Sequence, residues 1–395
     1  MAEDHVASAA TSRNAPVWVE RLTLTDFRNH ASLTLSFDRR PVVLTGPNGT
    51  GKTNIMEAVS LLAPGQGLRR APYPEIARQG TDAWAVAARV HTPSGAVDIG
   101  TGLTGASTAS SRTGRIVRID GEPQSGSGVL ADYVEMIWLV PAMDGLFTGS
   151  GGDRRRFLDR MILCFDPGYR TRVNHFERAM AQRNRLLEDG VRDHARLEGL
   201  EIVMAETGVA MAAARAQCIA ALTTTIDARR ARAADSPFPW AELELDGELE
   251  RDLAIMPAVE VEDHYARTLA AGRERDRAAG RALAGPHRSD LIVGHGPKSA
   301  PARQCSTGEQ KALLVGLTLA HAELMAERRR GAAPILLLDE IAAHLDASRR
   351  AALFDEIISI GTQAWMTGTD EEAFSALGDR AQSLRLGEHH APQQG

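Results

Sequence analysis

Gly46, Pro47, Asn48, Gly49, Thr50, Gly51, Lys52 and Thr53 stand in the order G-x-x-x-x-G-K-[ST]. That spacing serves one kind of chemistry, holding the phosphates of a nucleotide. Glycine lacks the Cβ that would keep backbone N–H groups away from a phosphate, and a helix starting at Lys52 adds its positive end. Lys52 is expected to reach the β- and γ-phosphates of ATP, and the Thr53 hydroxyl to ligate Mg2+. Far along the chain, Ile335-Leu-Leu-Leu ends in Asp339 and Glu340. An apolar strand ending in two carboxylates can bring one to the metal, Asp339, and one to the attacking water, Glu340. Asp346, a short turn beyond, is either a functional contact or a helix N-cap. The two motifs lie too far apart for a compact nucleoside kinase or small GTPase, so another structure is inserted into the nucleotide-binding domain.

Positioning these groups takes a strand, a glycine loop and a helix in succession. Pro41-Val-Val-Leu-Thr45 is a buried strand entering the loop, and 54–63 is helical with Ile55, Val59 and Leu62 on one face. Partial alternation over 17–37 predicts a hairpin turning near Asn29 and His30. Residues 83–120 predict short antiparallel strands between Gly/Ser/Thr-rich turns, and Met136-Ile-Trp-Leu-Val140 another buried strand. From 152 to about 232 the composition is helical, but no a/d heptad is sustained, which predicts a compact helical lobe rather than a long coiled coil. Ser236-Pro-Phe-Pro239 breaks it, and a short strand at 243–245 and further helix over 259–284 complete the insertion. The expected organisation is a tail (1–16), the first half of a nucleotide-binding head (17–151), a mainly helical insertion (152–284), the second half of the head (285–387) and a final tail (388–395).

Bulk properties narrow the class. The chain has 395 residues, 43% apolar and 24% charged, ordinary values for a globular protein with room for two domains. No run of about 18 consecutive apolar residues occurs, so no membrane span is expected. Cys164, Cys218 and Cys305 are widely scattered, which argues against a disulfide framework and suits a cytoplasmic protein. A net charge of −6 excludes a uniformly basic nucleic-acid binder but leaves room for a local basic face. Arg154, Arg155 and Arg156 open a stretch to Arg185 with nine arginines against three acids, either a phosphate-contacting surface or a set of solvated helix faces.

Between the insertion and Asp339 comes Cys305-Ser306-Thr307-Gly308-Glu309-Gln310, followed by a predicted helix. It resembles the Leu-Ser-Gly-Gly-Gln signature of ABC-type ATPases, keeping Ser306 and Gly308 and placing Cys, Thr and Glu at the other positions. Nearly the whole chain resembles the RecF family: Thr25-Asp-Phe-Arg-Asn-His30, the loop from Gly46 through Glu57, Arg154-Arg-Arg-Phe-Leu-Asp159, Gly285-Pro-His-Arg-Ser-Asp290 and the strand to Glu340 carry the likeness. The resemblance implies an α/β fold, an ABC-type P-loop ATPase head with an antiparallel β section and a compact helical insertion lobe. It also implies that ATP joins two subunits into a homodimer, the signature of one (Ser306, Gly308, Glu309, Gln310) completing the other's site. The dimer would clasp double-stranded DNA near single-stranded gaps, with RecR and RecO as partners and hydrolysis through Glu340 releasing it. Arg28 and Asn29 match positions that approach the nucleotide in this superfamily, Arg28 being otherwise a surface turn residue.

Three positions depart from the pattern. Asp144 follows the strand at 136–140 where ABC proteins carry a glutamine, Ser289 stands where relatives carry an acid, and Thr367-Gly-Thr-Asp370 has no histidine at the usual switch position. Slow hydrolysis is the expectation. The rival readings are another soluble ABC-type ATPase, such as a transporter motor, and a nucleotide-gated DNA clamp with negligible hydrolysis.

Overall fold

Val19, Leu22, Leu24 and Phe27 are buried along Trp18–Phe27 (β1), the pattern of a half-buried strand. Its period slips twice, between Val19 and Leu22, at an irregular register opposite Val90 and Arg89, and between Leu24 and Phe27, where Asp26 is left-handed at φ 46°. Arg28 and Asn29 turn the chain into His30–Ser36 (β2), with Phe27 opposite His30, as the hairpin expectation required. Val42–Thr45 (β3) is buried throughout and enters the glycine loop, and Lys52–Ser60 (α1) follows. Trp84–Thr92 (β4), Gly95–Leu103 (β5), Ile116–Ile119 (β6) and Glu122–Pro123 (β7) extend an antiparallel sheet of order β2-β1-β4-β5-β6-β7. Met136–Leu139 (β8) is the next strand.

Gly151–Leu163 (α2), Tyr169–Glu188 (α3) and His194–Arg232 (α4) come next, then Ala241–Asp246 (β9), Glu248–Leu253 (α5), Ala258–Ala271 (α6) and Arg273–Ala279 (α7). Asp290–His295 (β10) and Ala300–Pro301 (β11) lead to Thr307–Arg328 (α8). Ile335–Leu338 (β12), Ala347–Ile360 (α9), Ala364–Gly368 (β13) and Gln382–Arg385 (β14) close the chain. This computed structural model describes residues 16–387 apart from 105–113, 167, 191–192, 234–235, 330–331 and 344. The expected tails, 1–16 save Pro16 and 388–395, lie outside the described residues.

The described residues form two compact units, one within 1–142 and 321–395 and one within 143–320. The boundary differs from the expected return to the head at 285. Residues 285–320 pack in the second unit because β10 pairs antiparallel with β9 along its whole length and Asp290 is bonded to Arg154 of α2.

In the first unit, a second sheet has the order β14-β3-β13-β12-β8, every pairing parallel. β3 and β12 have no exposed residue, as strands covered on both faces require. Because β3, β13 and β12 are neighbours running the same way, their C-terminal ends present the glycine loop, Thr367 and Asp339 side by side. Ligands of open parallel sheets bind at that edge.

In the second unit, α3 and α4 pack as a helical hairpin, with Leu186 and Leu187 against Leu197. The 39-residue α4 contains an 18-residue stretch of mean hydropathy 1.3, apolar enough by composition to cross a bilayer. Half of that stretch is buried within the protein, and along the helix as a whole Met204, Ala205, Gly208, Val209 and Ala212 are buried. The same helix carries buried Glu201 and Arg215: Arg183 bridges Glu201 and Asp276, and Arg215 is bonded to Asp159 at 2.9 and 3.0 Å. Such pairs fix which helices meet more than they stabilise the unit.

Candidate functional site

The glycine loop is built as its sequence demands. Gly51 has a φ of 96°, and a Cβ there would lie 2.9 Å from both Asn29 Nδ2 and His30 Nε2, so the β1–β2 turn closes against the loop only at a glycine. Pro47, Asn48 and Gly49 are exposed, and the Thr50 hydroxyl donates to Pro47 O at 2.9 Å. Lys52 is buried, its ammonium resting on the carbonyls of Gly46 (2.5 Å) and Pro47 (2.8 Å). Burial lowers its pKa, while the charges of Glu340 and Asp339 work against that shift.

Opposite the loop, one hydroxyl ties the acidic pair together. Thr367 donates to Asp339 Oδ1 at 2.7 Å and accepts the backbone N–H of Glu340 at 2.8 Å. The Thr53 hydroxyl donates to the same Asp339 oxygen at 3.2 Å. The sequence noted Thr367 only for the histidine it is not. Glu340 is exposed and left-handed, φ 50°, a conformation that persists in a non-glycine residue only when its surroundings hold it. Thr53 and Asp339 offer hard oxygen donors that fit a small cation taking its other ligands from water and phosphate. No group of three or more His, Cys, Asp or Glu side chains among the described residues could hold a metal unaided.

Arg28 and Asn29 come beside the loop but are engaged by protein. Arg28, at φ 53°, grips the buried Glu57 of α1 through Nε (2.8 Å) and one terminal nitrogen (2.6 Å), and its other terminal nitrogen donates to Glu75 O. Arg69 reaches Glu57 and Asn54, and Asn54 donates to Asn29 Oδ1 at 2.7 Å. Arg28 is therefore a clamp on the phosphate-loop helix, at a position that the resemblance places near the nucleotide. Nothing local in the sequence marks the burial of Glu57, the centre of that clamp.

Asp346 is the N-cap of α9, its Oδ1 accepting the Arg349 N–H at 2.8 Å, the second of the two roles open to it. In the second unit, Ser306 opens α8 in a capping box: Glu309 N–H approaches Ser306 Oγ at 3.4 Å and Ser306 N–H donates to Glu309 Oε2 at 3.0 Å. Ser306 is exposed and Gly308 half-buried, with open space at its Cβ position. Gln310 departs from the expected role, being buried and spending its amide on Cys305 O at 2.8 Å. Lys311, also buried, faces Asp144 at 3.5 Å.

The arginines considered for DNA divide. Arg154 pairs with both Asp290 oxygens at 2.9 and 2.6 Å, and Arg155 donates to Ser289 O at 2.5 Å. Both are half-buried and engaged by partners within the unit, which leaves Arg156 the most accessible of the three. Arg156 is 57% exposed beside Asp153. Farther along the arginine-rich stretch, Arg183 is buried and Arg172 pairs with Asp166.

Residues 18–386 match the family described as RecF/RecN/SMC N terminal domain. The chain is 53% identical over 374 residues to the DNA replication and repair protein RecF of Mesorhizobium japonicum, covering 94% of this chain and 97% of that protein. It is 54% identical over 372 residues to the protein of the same name from Agrobacterium fabrum, with the same coverage. Among solved structures, the recombination mediator protein RecF with ATPrS, of the RecFOR pathway, aligns with a TM-score of 0.79 at 19% identity, over 94% of this chain and 97% of that one. An Smc head domain of Pyrococcus furiosus, bound to the C-terminal domain of ScpA, aligns at 0.51 and 16%, over 91% and 92%. The fold is the expected one, an α/β ATPase head with parallel and antiparallel sheets.

Proposed function

The chain belongs to the RecF family, and from the site described above we propose that it is an ATP-dependent DNA-binding protein of recombinational gap repair and replication restart. The observation that carries the nucleotide half is the junction at Asp339, where Thr53 of the phosphate loop and Thr367 of β13 converge on one carboxylate oxygen beside Glu340. The repair half rests on the names of the relatives.

Thr53 and Asp339 would hold Mg2+, which when bound neutralises phosphate charge. Lys52 sits where its ammonium can exchange the carbonyls of Gly46 and Pro47 for phosphate oxygens. Glu340, exposed and left-handed, takes a proton from water as general base. Two copies meet when each carries ATP, the exposed Ser306 and the N–H groups at the start of α8 completing the other's site. ATP that binds the dimer better than the monomer drives dimerisation by that difference. The dimer clasps double-stranded DNA beside gaps, works with RecR and RecO in the cytoplasm, and reopens on hydrolysis.

Molar mass by light scattering on Glu340→Gln tests this. A monomer that becomes a dimer with Mg·ATP and retains gapped duplex, with turnover reduced about 10²- to 10⁴-fold, is expected. A protein that stays monomeric with ATP verified as bound refutes the clamp. A second reading, a clamp that barely hydrolyses, draws on Thr367: its hydroxyl is committed to Asp339 and Glu340, and it stands where a γ-phosphate-sensing histidine would. Dimerisation by ATP with equal residual turnover in the unaltered chain and Glu340→Gln would favour it.

A further inference from the structure

The arginines between 154 and 185 separate by what they touch. Arg154 meets Asp290, Arg172 meets Asp166, and Arg183 meets Glu201 and Asp276. Arg170, Arg178 and Arg185 are exposed, and none has an ion-pair or hydrogen-bond partner for its side chain among the described residues.

The geometry of α3 explains the division. Its buried residues are Tyr169, Phe176, Ala179, Arg183, Leu186 and Leu187. At about 100° per residue these fall on one side of the helix, while positions 170, 178 and 185 fall within about 80° of one another on the other side. Thr171, Asn174 and Gln182 are exposed on that same side and add hydroxyl and amide donors. From 170 to 185 the stripe rises about 22 Å, the length of about six base-pair steps of duplex. The exposed acids of the helix, Glu177 and Glu188, lie along one edge of the stripe and are bonded to none of its arginines.

A helix face that serves only solubility interleaves the two signs in i,i+4 pairs. This one carries unpaired positive charge and neutral donors, in a chain whose net charge is −6. The acids gather on other helices of the unit. Glu206 of α4 and Asp263 of α6 are exposed, and they add to burial in raising the pKa of Glu262, so the three carboxyls lie close together. A polyanion laid on that side would meet like charge. On the α3 stripe it meets guanidiniums free to replace its counterions, with donors suited to phosphate oxygens between them.

We propose that the outer face of α3, through Arg170, Arg178 and Arg185, is a surface that holds the phosphate backbone of duplex DNA without reading its sequence. This rests on the DNA-binding reading under Proposed function and names the face that carries it.

The test is binding of gapped duplex with Mg·ATPγS, by fluorescence anisotropy across a salt series from about 50 to 200 mM. The proteins are the unaltered chain, Arg178→Gln, the triple variant Arg170→Gln/Arg178→Gln/Arg185→Gln, and the same three positions changed to Lys. Arg178→Gln is expected to lower the slope of log K against log salt by about 1, and the triple Gln variant by about 3, for each copy that engages the duplex. At about 100 mM salt the triple Gln variant should bind at least about tenfold more weakly, equally for two duplexes of unrelated sequence. The triple Lys variant keeps the charge and should keep the slope. Because the three side chains are exposed and unpaired, the thermal midpoint and the ATPγS-driven dimer mass should match those of the unaltered chain. A triple Gln variant that dimerises and keeps the salt slope would overturn the proposal and leave the stripe to solvent or to an acidic protein. One that loses the dimer would also overturn it, by placing the stripe between copies. An unaltered chain that binds ATPγS but no gapped duplex would sink the DNA-binding reading itself.

Discussion

Removing the Thr367 hydroxyl should loosen both acidic residues at once. Thr367→Val keeps the branched shape but leaves Asp339 Oδ1 without its 2.7 Å donor and the Glu340 N–H without its 2.8 Å acceptor. A hydrogen bond to a charged group contributes about 1.5–3 kcal/mol, and an orphaned N–H costs about 1–3 kcal/mol. Water can reach Glu340, which is exposed, so the second figure sits at its low end, and Asp339 keeps its bond to Thr53. The expected loss of stability is therefore about 2–4 kcal/mol. Catalysis should suffer further. Glu340 is held at φ 50°, and once freed its backbone can relax toward the right-handed region and carry the carboxylate with it. A displacement of about 1 Å costs on the order of 10²-fold in rate. Single-turnover hydrolysis at saturating Mg·ATP, on protein shown to be folded by circular dichroism, reads the second effect, and urea denaturation reads the first. Binding of a fluorescent ATP analogue should change only a few-fold, because the glycine loop is untouched. Thr367→Ser should recover most of the rate. Unchanged single-turnover rate and urea midpoint in Thr367→Val would refute the reasoning, whatever Glu340 does.

Two further outcomes separate roles inside the second unit and at a sheet edge of the first. Arg154→Ala should cost about 2 kcal/mol by stranding Asp290 while leaving the salt dependence of DNA binding unchanged, whereas Arg156→Ala should spare stability and lower the slope of log K against log salt by about 1. Denaturation and salt titration with gapped duplex check both. Burial pushes the Glu135 carboxyl from 4.5 up to about 7, with the Arg329 guanidinium pulling the other way. The folded state then holds a proton that the unfolded chain has released, so stability falls as pH rises from about 5 through 7, by at most about 3 kcal/mol. Glu135→Gln should flatten that fall in urea midpoints measured from pH 5 to 8, and an unchanged slope would remove Glu135 from the account.

What the sequence disclosed and what it withheld follow one physical division. The glycine loop, the apolar strand to Asp339 and Glu340, and the hairpin, expected to turn near Asn29 and His30 and found to turn one residue earlier, were legible because each is a local pattern, repeated or spaced within one element. The arginines were not. Arg28 sits at the turn that was read correctly, yet its partner Glu57 is 29 residues on, and Asp290, which claims Arg154, is 136 residues away. Strand register and helix packing choose such partners, and no spacing rule reaches that far. The return to the head was misplaced at 285 for the same reason, since only the pairing of β10 with β9 decides where 285–320 belongs.

The site itself shows why binding groups are easier to find than holding groups. Backbone N–H groups that wrap a phosphate must come from successive residues, so the loop has to be a contiguous string from Gly46 to Thr53. A group that merely holds a carboxylate in place needs one hydroxyl or one ammonium at the right distance, and any passing element can supply it. Thr367 does so for Asp339 from β13, and Lys298 for Glu309 from the turn before β11, each with no more of a sequence signature than its own letter. The same freedom explains how the acidic pair stays ordered with a threonine, and no histidine, at the end of β13. Ordering Asp339 and Glu340 requires a donor and an acceptor at the end of β13, and a threonine hydroxyl is both.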